Sequence, residues 1–186
     1  MRKEKQFGFE MLERNNLKHF GGAYLKNSNP KEKRPISIKK SMHLVMRSSY
    51  AKGNYSLLKK SKEIQSLISA QGKTFGVKVY RQANGGNHLH LILLPRSRQA
   101  FNGFIRAISG LIVRVVLEIE RGRPFFKTDR KGLEGFWDKR PFTRIVEWGR
   151  DFKGVCNYLL KNTLEALGFI PYQPRKHRFK SRESTA

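Results

Sequence analysis

The stretch FGVKVYRQANGGNHLHLILLP (residues 75–95) decides how the chain folds. Phe75 to Arg81 is rich in β-formers, with Val77 and Val79 on one side. Asn84-Gly85-Gly86-Asn87 is a turn signal between two apolar runs, which predicts a hairpin. His88 to Leu94 is then the returning strand, ended by Pro95. Strand period two puts His88 and His90 on one face and Leu89 and Leu91 on the other. Two imidazoles on one face each need a hydrogen-bond partner or a metal ion. From this stretch alone, a structural pair and a metal-binding pair both stand.

Outward from the hairpin, the periodicity continues. Met42–Arg47 reads as a short strand, with His43 taken as a satisfied core histidine. Leu57, Ile64, Leu67 and Ile68 recur at helical spacing, which predicts a helix over 56–71 with Gly72 as its stop. Phe101, Phe104, Ile105, Ile108, Ile112, Val115 and Ile119 predict a second helix over 98–120, capped by Ser97. Gly103 and Gly110 inside it cost roughly 1 kcal/mol each relative to Ala; close packing on a sheet would account for them. A long charged loop over 122–140 precedes a short strand at Arg144–Glu147 and a last helix over 150–163, with Phe152, Val155 and Leu159 inward.

The resulting order is β-α-β-β-α-β-α. Its first six elements match a ferredoxin-like α+β layer, an antiparallel sheet with two helices on one face. The last helix is extra. The chain is read as a basic arm (1–35), a folded domain (36–170) and a basic tail (171–186).

The 186 residues carry 39 Lys and Arg against 14 Asp and Glu, a formal net charge of +25. The charge is not confined to the ends. Residues 1–40 hold a net +7, residues 171–186 a net +4 and the middle a net +14. A hydrophobic content of 38% is too high for a disordered polycation. A folded chain with this excess points to a polyanion, most often nucleic acid. No apolar run approaches the roughly 18 residues of a membrane span, so no membrane role is expected. The N-terminal stretch lacks an apolar core of the secretory kind, so a cytoplasmic, nucleoid-associated location is expected. The lone Cys156 excludes an intrachain disulfide framework and a Cys-rich zinc site.

The last helix adds chemistry to the histidine pair. Tyr158 and Asn162 are i and i+4, so they project from one face. Each alone has an ordinary reading, a boundary tyrosine and an asparagine near a helix end. Together with His88 and His90 they make a sensible set. Two imidazoles and an amide oxygen can bind Mg²⁺ or Mn²⁺ on one side and leave other positions open. An open position suits a non-bridging phosphate oxygen, and the phenol is then a candidate nucleophile. A free phenol titrates about 3 units above neutrality, so full ionisation costs roughly 4 kcal/mol at pH 7; a nearby cation lowers that cost.

Here the chain resembles the single-tyrosine HUH transposases, especially the REP-associated tyrosine transposases and relatives in small insertion sequences. The resemblance rests on His43-Leu44-Val45-Met46-Arg47-Ser48, on Gly86-Asn87-His88-Leu89-His90-Leu91 and on Phe136-Trp137 followed by Arg144-Ile145-Val146. It rests also on Tyr158-Leu159-Leu160-Lys161-Asn162 followed by Glu165-Ala166-Leu167-Gly168-Phe169, and covers about residues 36–170. It implies a fold of HUH endonuclease type with the tyrosine on the extra helix. It implies His88, His90 and Asn162 as metal ligands and Tyr158 as the residue that forms a 5′-phosphotyrosine with DNA. It also implies single-stranded or hairpin DNA as partner and allows a homodimer. Many relatives have proline after the asparagine; here it is Thr163.

The charged loop interleaves Arg121, Arg123, Phe125, Phe126, Lys127, Arg130, Lys131 and Arg140. With Arg47, these are the candidate DNA-binding residues, cations for backbone and aromatics for bases. Phe136 and Trp137 are expected to plug the core instead. The reading is therefore a metal-dependent single-strand DNA endonuclease and strand transferase, with a non-catalytic nucleic-acid-binding protein as the alternative.

Overall fold

The computed structural model describes residues 20–21, 34–119, 135–138 and 140–172. Its strands are β1 (Phe20–Gly21), β2 (Ser41–Arg47), β3 (Val77–Asn84), β4 (His88–Pro95) and β5 (Phe142–Val146); its helices are α1 (Ser61–Phe75), α2 (Arg98–Val116) and α3 (Arg150–Ala166). The strands form one sheet in the order β1-β5-β2-β4-β3, and every pairing is antiparallel. Without the two-residue β1, this is the strand order of the split βαβ layer that the sequence predicts. Phe20–Gly21 falls within the stretch read as an arm, yet it extends the sheet edge by pairing with β5.

The predicted hairpin forms, and its turn is braced. Asn84 Nδ2 donates to the Leu57 carbonyl at 2.8 Å, and Leu57 N–H donates to the Gly86 carbonyl at 2.8 Å. Gly86 takes φ +84°, a conformation that favours glycine.

Helix α1 does not end at Gly72 as its sequence suggests. It runs to Phe75 and stops at Gly76, whose φ of 66° lets the chain leave the helix. Gly72 lies inside the helix, where a Cβ would press on the Val77 carbonyl oxygen at 2.9 Å. The glycine there serves a close approach to β3. Helix α2 starts as predicted, with Ser97 Oγ accepting from Ala100 N–H at 3.0 Å, but it ends at Val116. Gly103 packs on Phe75 of α1 and not on the sheet; nothing approaches Gly110, so packing does not explain it.

Helices α1 and α2 cover one face of the sheet. Ile64, Ile68, Phe101, Phe104, Ile108 and Ile112 meet Met42, Leu44, Leu89, Leu91 and Leu93 there. Each such side chain contributes roughly 1.5–3 kcal/mol on burial. Phe136 is buried in this core with Trp137 packed against it, and Trp137 Nε1 donates to the Ser109 carbonyl at 3.0 Å. The extra helix α3 lies on the opposite face, where Val155 and Leu159 meet Ala83, Ile92 and Val146. Among the described residues, no helix is long and apolar enough to cross a membrane.

Candidate active site

Alternation along β4 sends Leu89, Leu91 and Leu93 into the core under α1 and α2. It therefore sends His88 and His90 to the α3 face. On β2 the same alternation brings His43 and Arg47 to that face. Arg47 pairs across the strands with His88, and Val45 with His90. His43, two residues along from Val45, is thus diagonal to His90.

The two rings use that diagonal. His43 Nε2 and His90 Nδ1 lie 3.0 Å apart, with the ring planes within 18° of parallel. Both residues are buried, 8% and 4% exposed. Burial, then the nearby Arg144 guanidinium, hold His43 down at about pKa 4, against an upward pull from Asp151. His43 is neutral at pH 7.

His88 is half-buried, and its Nδ1 donates to Asn87 Oδ1 at 2.7 Å, since an amide oxygen can only accept. Its ring stands perpendicular to that of His90, centroids 4.8 Å apart. Gly85 lies directly against the ring, and a Cβ at that position would overlap it.

Helix α3 brings Tyr158 to this cluster. At its start, Arg144 grips Asp151 with two hydrogen bonds, 3.1 and 2.9 Å, and Glu147 N–H donates to the same carboxylate at 3.1 Å. Further along, Val155 and Leu159 seat the helix on Ile92. Tyr158, half-buried, then stands perpendicular to His90 with centroids 5.5 Å apart. It is 6.2 Å from His43 by the same measure. Asn162, one turn on and buried, donates from Nδ2 to the Tyr158 carbonyl at 2.9 Å.

The structure thus gathers His88, His90 and Tyr158, with Asn162 one helical turn beyond. Arg47 stands at the rim, its side chain 70% exposed and 3.6 Å from Asp138. Arg140 is exposed. Arg121, Arg123, Phe125, Phe126, Lys127, Arg130 and Lys131 lie outside the described residues. His43 is the buried, satisfied histidine that the sequence suggests, but the sequence does not show that its partner is His90; nor does it show that Gly85, read only as a turn residue, is where the His88 ring rests. The HxH spacing locates the pair; no sequence signal gives the diagonal between strands.

Among the described residues, no group of three or more His, Cys, Asp or Glu side chains is placed to hold a metal ion. The donor set here is of another kind, two imidazoles and an amide. With its Nδ1 donating to Asn87, His88 would offer an ion its Nε2; at His90 the tautomer shared with His43 decides which nitrogen is offered, and Asn162 would offer Oδ1. So few protein donors suit a site that leaves positions for substrate. A groove of about 530 Å³ among Gly72, Lys73, Gly76, Lys78, Pro95 and Arg96 contains none of these residues.

No family model and no curated protein matches the sequence. Among solved structures, the chain is similar to a protein from Deinococcus radiodurans R1 described as a candidate transposase, at 14% identity and a TM-score of 0.45, covering 72% of this chain and 98% of that one. A TM-score below 0.5 carries no inference about function.

Proposed function

We propose that the chain is a metal-dependent single-strand DNA endonuclease and strand transferase that works through a 5′-phosphotyrosine. The observation that carries this reading is the approach of the Tyr158 ring to His90 at 5.5 Å. A half-buried phenol beside His90, whose ring lies 4.8 Å from that of His88, sets a nucleophile next to candidate ligands, on a chain of net charge +25. A divalent ion, Mg²⁺ or Mn²⁺, held by His88, His90 and Asn162 would supply Lewis-acid polarisation of a phosphate oxygen.

The chain's own residues then act in order. Arg47 and the basic loop hold the DNA backbone. The Tyr158 hydroxyl attacks phosphorus and loses its proton to solvent. The P–O3′ bond breaks, and the departing 3′ oxygen takes up a proton. The 5′ phosphate stays esterified to Tyr158. Attack by a 3′-hydroxyl on that ester reverses the step, restores the phenol and needs no ATP, because the bond energy is retained in the ester.

The test uses labelled single-stranded DNA hairpins, Mn²⁺ and the full chain. A denaturation-resistant protein–DNA adduct should form, vanish with a chelator, and be absent in Tyr158→Phe, which still binds DNA. Undiminished cleavage by Tyr158→Phe would refute the assignment. Salt-sensitive binding with no adduct under any metal would instead mark a non-catalytic DNA-binding protein.

A further inference from the structure

We propose that His43 is a positioning residue, which accepts the Nδ1–H of His90 through its own Nε2 and so leaves the lone pair of His90 on Nε2. The inference deepens the reading above and rests on it for the value of that lone pair.

The geometry restricts the choices to two. With His43 Nε2 and His90 Nδ1 at 3.0 Å, one nitrogen donates and the other accepts. In one arrangement His90 carries its proton on Nδ1 and offers Nε2 as a ligand. In the other, His43 donates, and His90 carries its proton on Nε2, where it cannot bind an ion. Both rings are more than nine-tenths buried, so water is a poor substitute for either partner.

His88 indicates which arrangement fits the site. Its Nδ1 faces Asn87 Oδ1 at 2.7 Å, and an amide oxygen only accepts. His88 therefore keeps its proton on Nδ1 and its lone pair on Nε2. If His43 plays the part of that amide oxygen, both histidines present the same nitrogen. The two supports also differ in strength. Asn87 is the chain neighbour of His88, whereas His43 comes from another strand and holds His90 through the β2–β4 register. Ring orientation at His90 is thus tied to the sheet. An acceptor behind a ligating imidazole fixes its tautomer and raises its basicity, and loss of such a partner typically costs about 10–100-fold in metal affinity.

The test is long-range ¹H–¹⁵N NMR of the imidazoles in the metal-free full chain, followed by Mn²⁺ titration of the same samples. The expected result is a proton on Nδ1 of His90 in the unaltered protein. His43→Phe, which keeps a ring but offers no acceptor, should give mixed tautomers at His90 and weaken Mn²⁺ binding about 10–100-fold. His43→Gln, whose amide oxygen can accept, should keep the tautomer and bind within a few-fold of the unaltered protein. A proton on Nε2 of His90 in the unaltered protein overturns the proposal, whether or not the variants fold. So does equal Mn²⁺ affinity in a folded His43→Phe. The expected tautomer and its dependence on residue 43, in a protein that never cleaves DNA, would support the positioning role and count against the nuclease reading alone.

Discussion

The Tyr158 ring stands at 90° to the His90 imidazole of its own chain, centroids 5.5 Å apart. One copy therefore carries the candidate nucleophile and a candidate ligand side by side. If cleavage runs this way, mixing Tyr158→Phe with His90→Ala should restore none of it. A nicking assay on the mixture checks this, and recovered activity would mean that the helix serves a second copy.

Gly85 carries the His88 ring against its Cα, and a methyl group there would overlap the imidazole. Gly85 does not have a positive φ, so alanine is tolerated by the backbone and the strain falls on the ring. Gly85→Ala should fold normally, by circular dichroism and melting temperature. Calorimetry should find Mn²⁺ affinity reduced about tenfold or more, the scale at which displaced supports of a metal ligand act. Unchanged affinity would take His88 out of the ligand set.

Asp151 clamps the start of α3 to Arg144. Burial alone would raise its carboxyl; the bonds from Arg144 and from Glu147 N–H, with the charges of Arg144 and His43, bring it below the ordinary value of 3.8. A depressed folded pKa means that the unfolded chain binds more protons as pH falls. The stabilisation is complete above about pH 4 and is lost as pH drops through the folded value. The side chain is about a third exposed, so solvent screening keeps the contribution near 0.5–1 kcal/mol. Urea denaturation at pH 7 and pH 3 should find Asp151→Asn less stable by that amount at pH 7, with the difference smaller at pH 3. A constant difference would show that the clamp acts through shape.

Arg47 is exposed at the rim, across the strands from His88. Single-stranded DNA binding should weaken with salt, and Arg47→Ala should reduce the slope of log K against log salt by roughly 0.7, one phosphate contact. An unchanged slope puts Arg47 outside the DNA track.

Local pattern carried much of this molecule. Strand alternation put His88 and His90 on one face, helical spacing put Tyr158 and Asn162 on another, and the leucines of β4 named the core side. Each of those depends on a repeat within a few residues, which a chain alone displays. Helix ends were less legible: Gly72 and Gly76 are both acceptable stops by residue type, and the close approach of β3 to Gly72 decided between them. The face chosen by α3, the diagonal from His43 to His90 and the seat of the His88 ring on Gly85 came only with the tertiary structure. These depend on register between strands far apart in the chain, and register is set by the simultaneous burial of both sheet faces, a condition that no single segment contains.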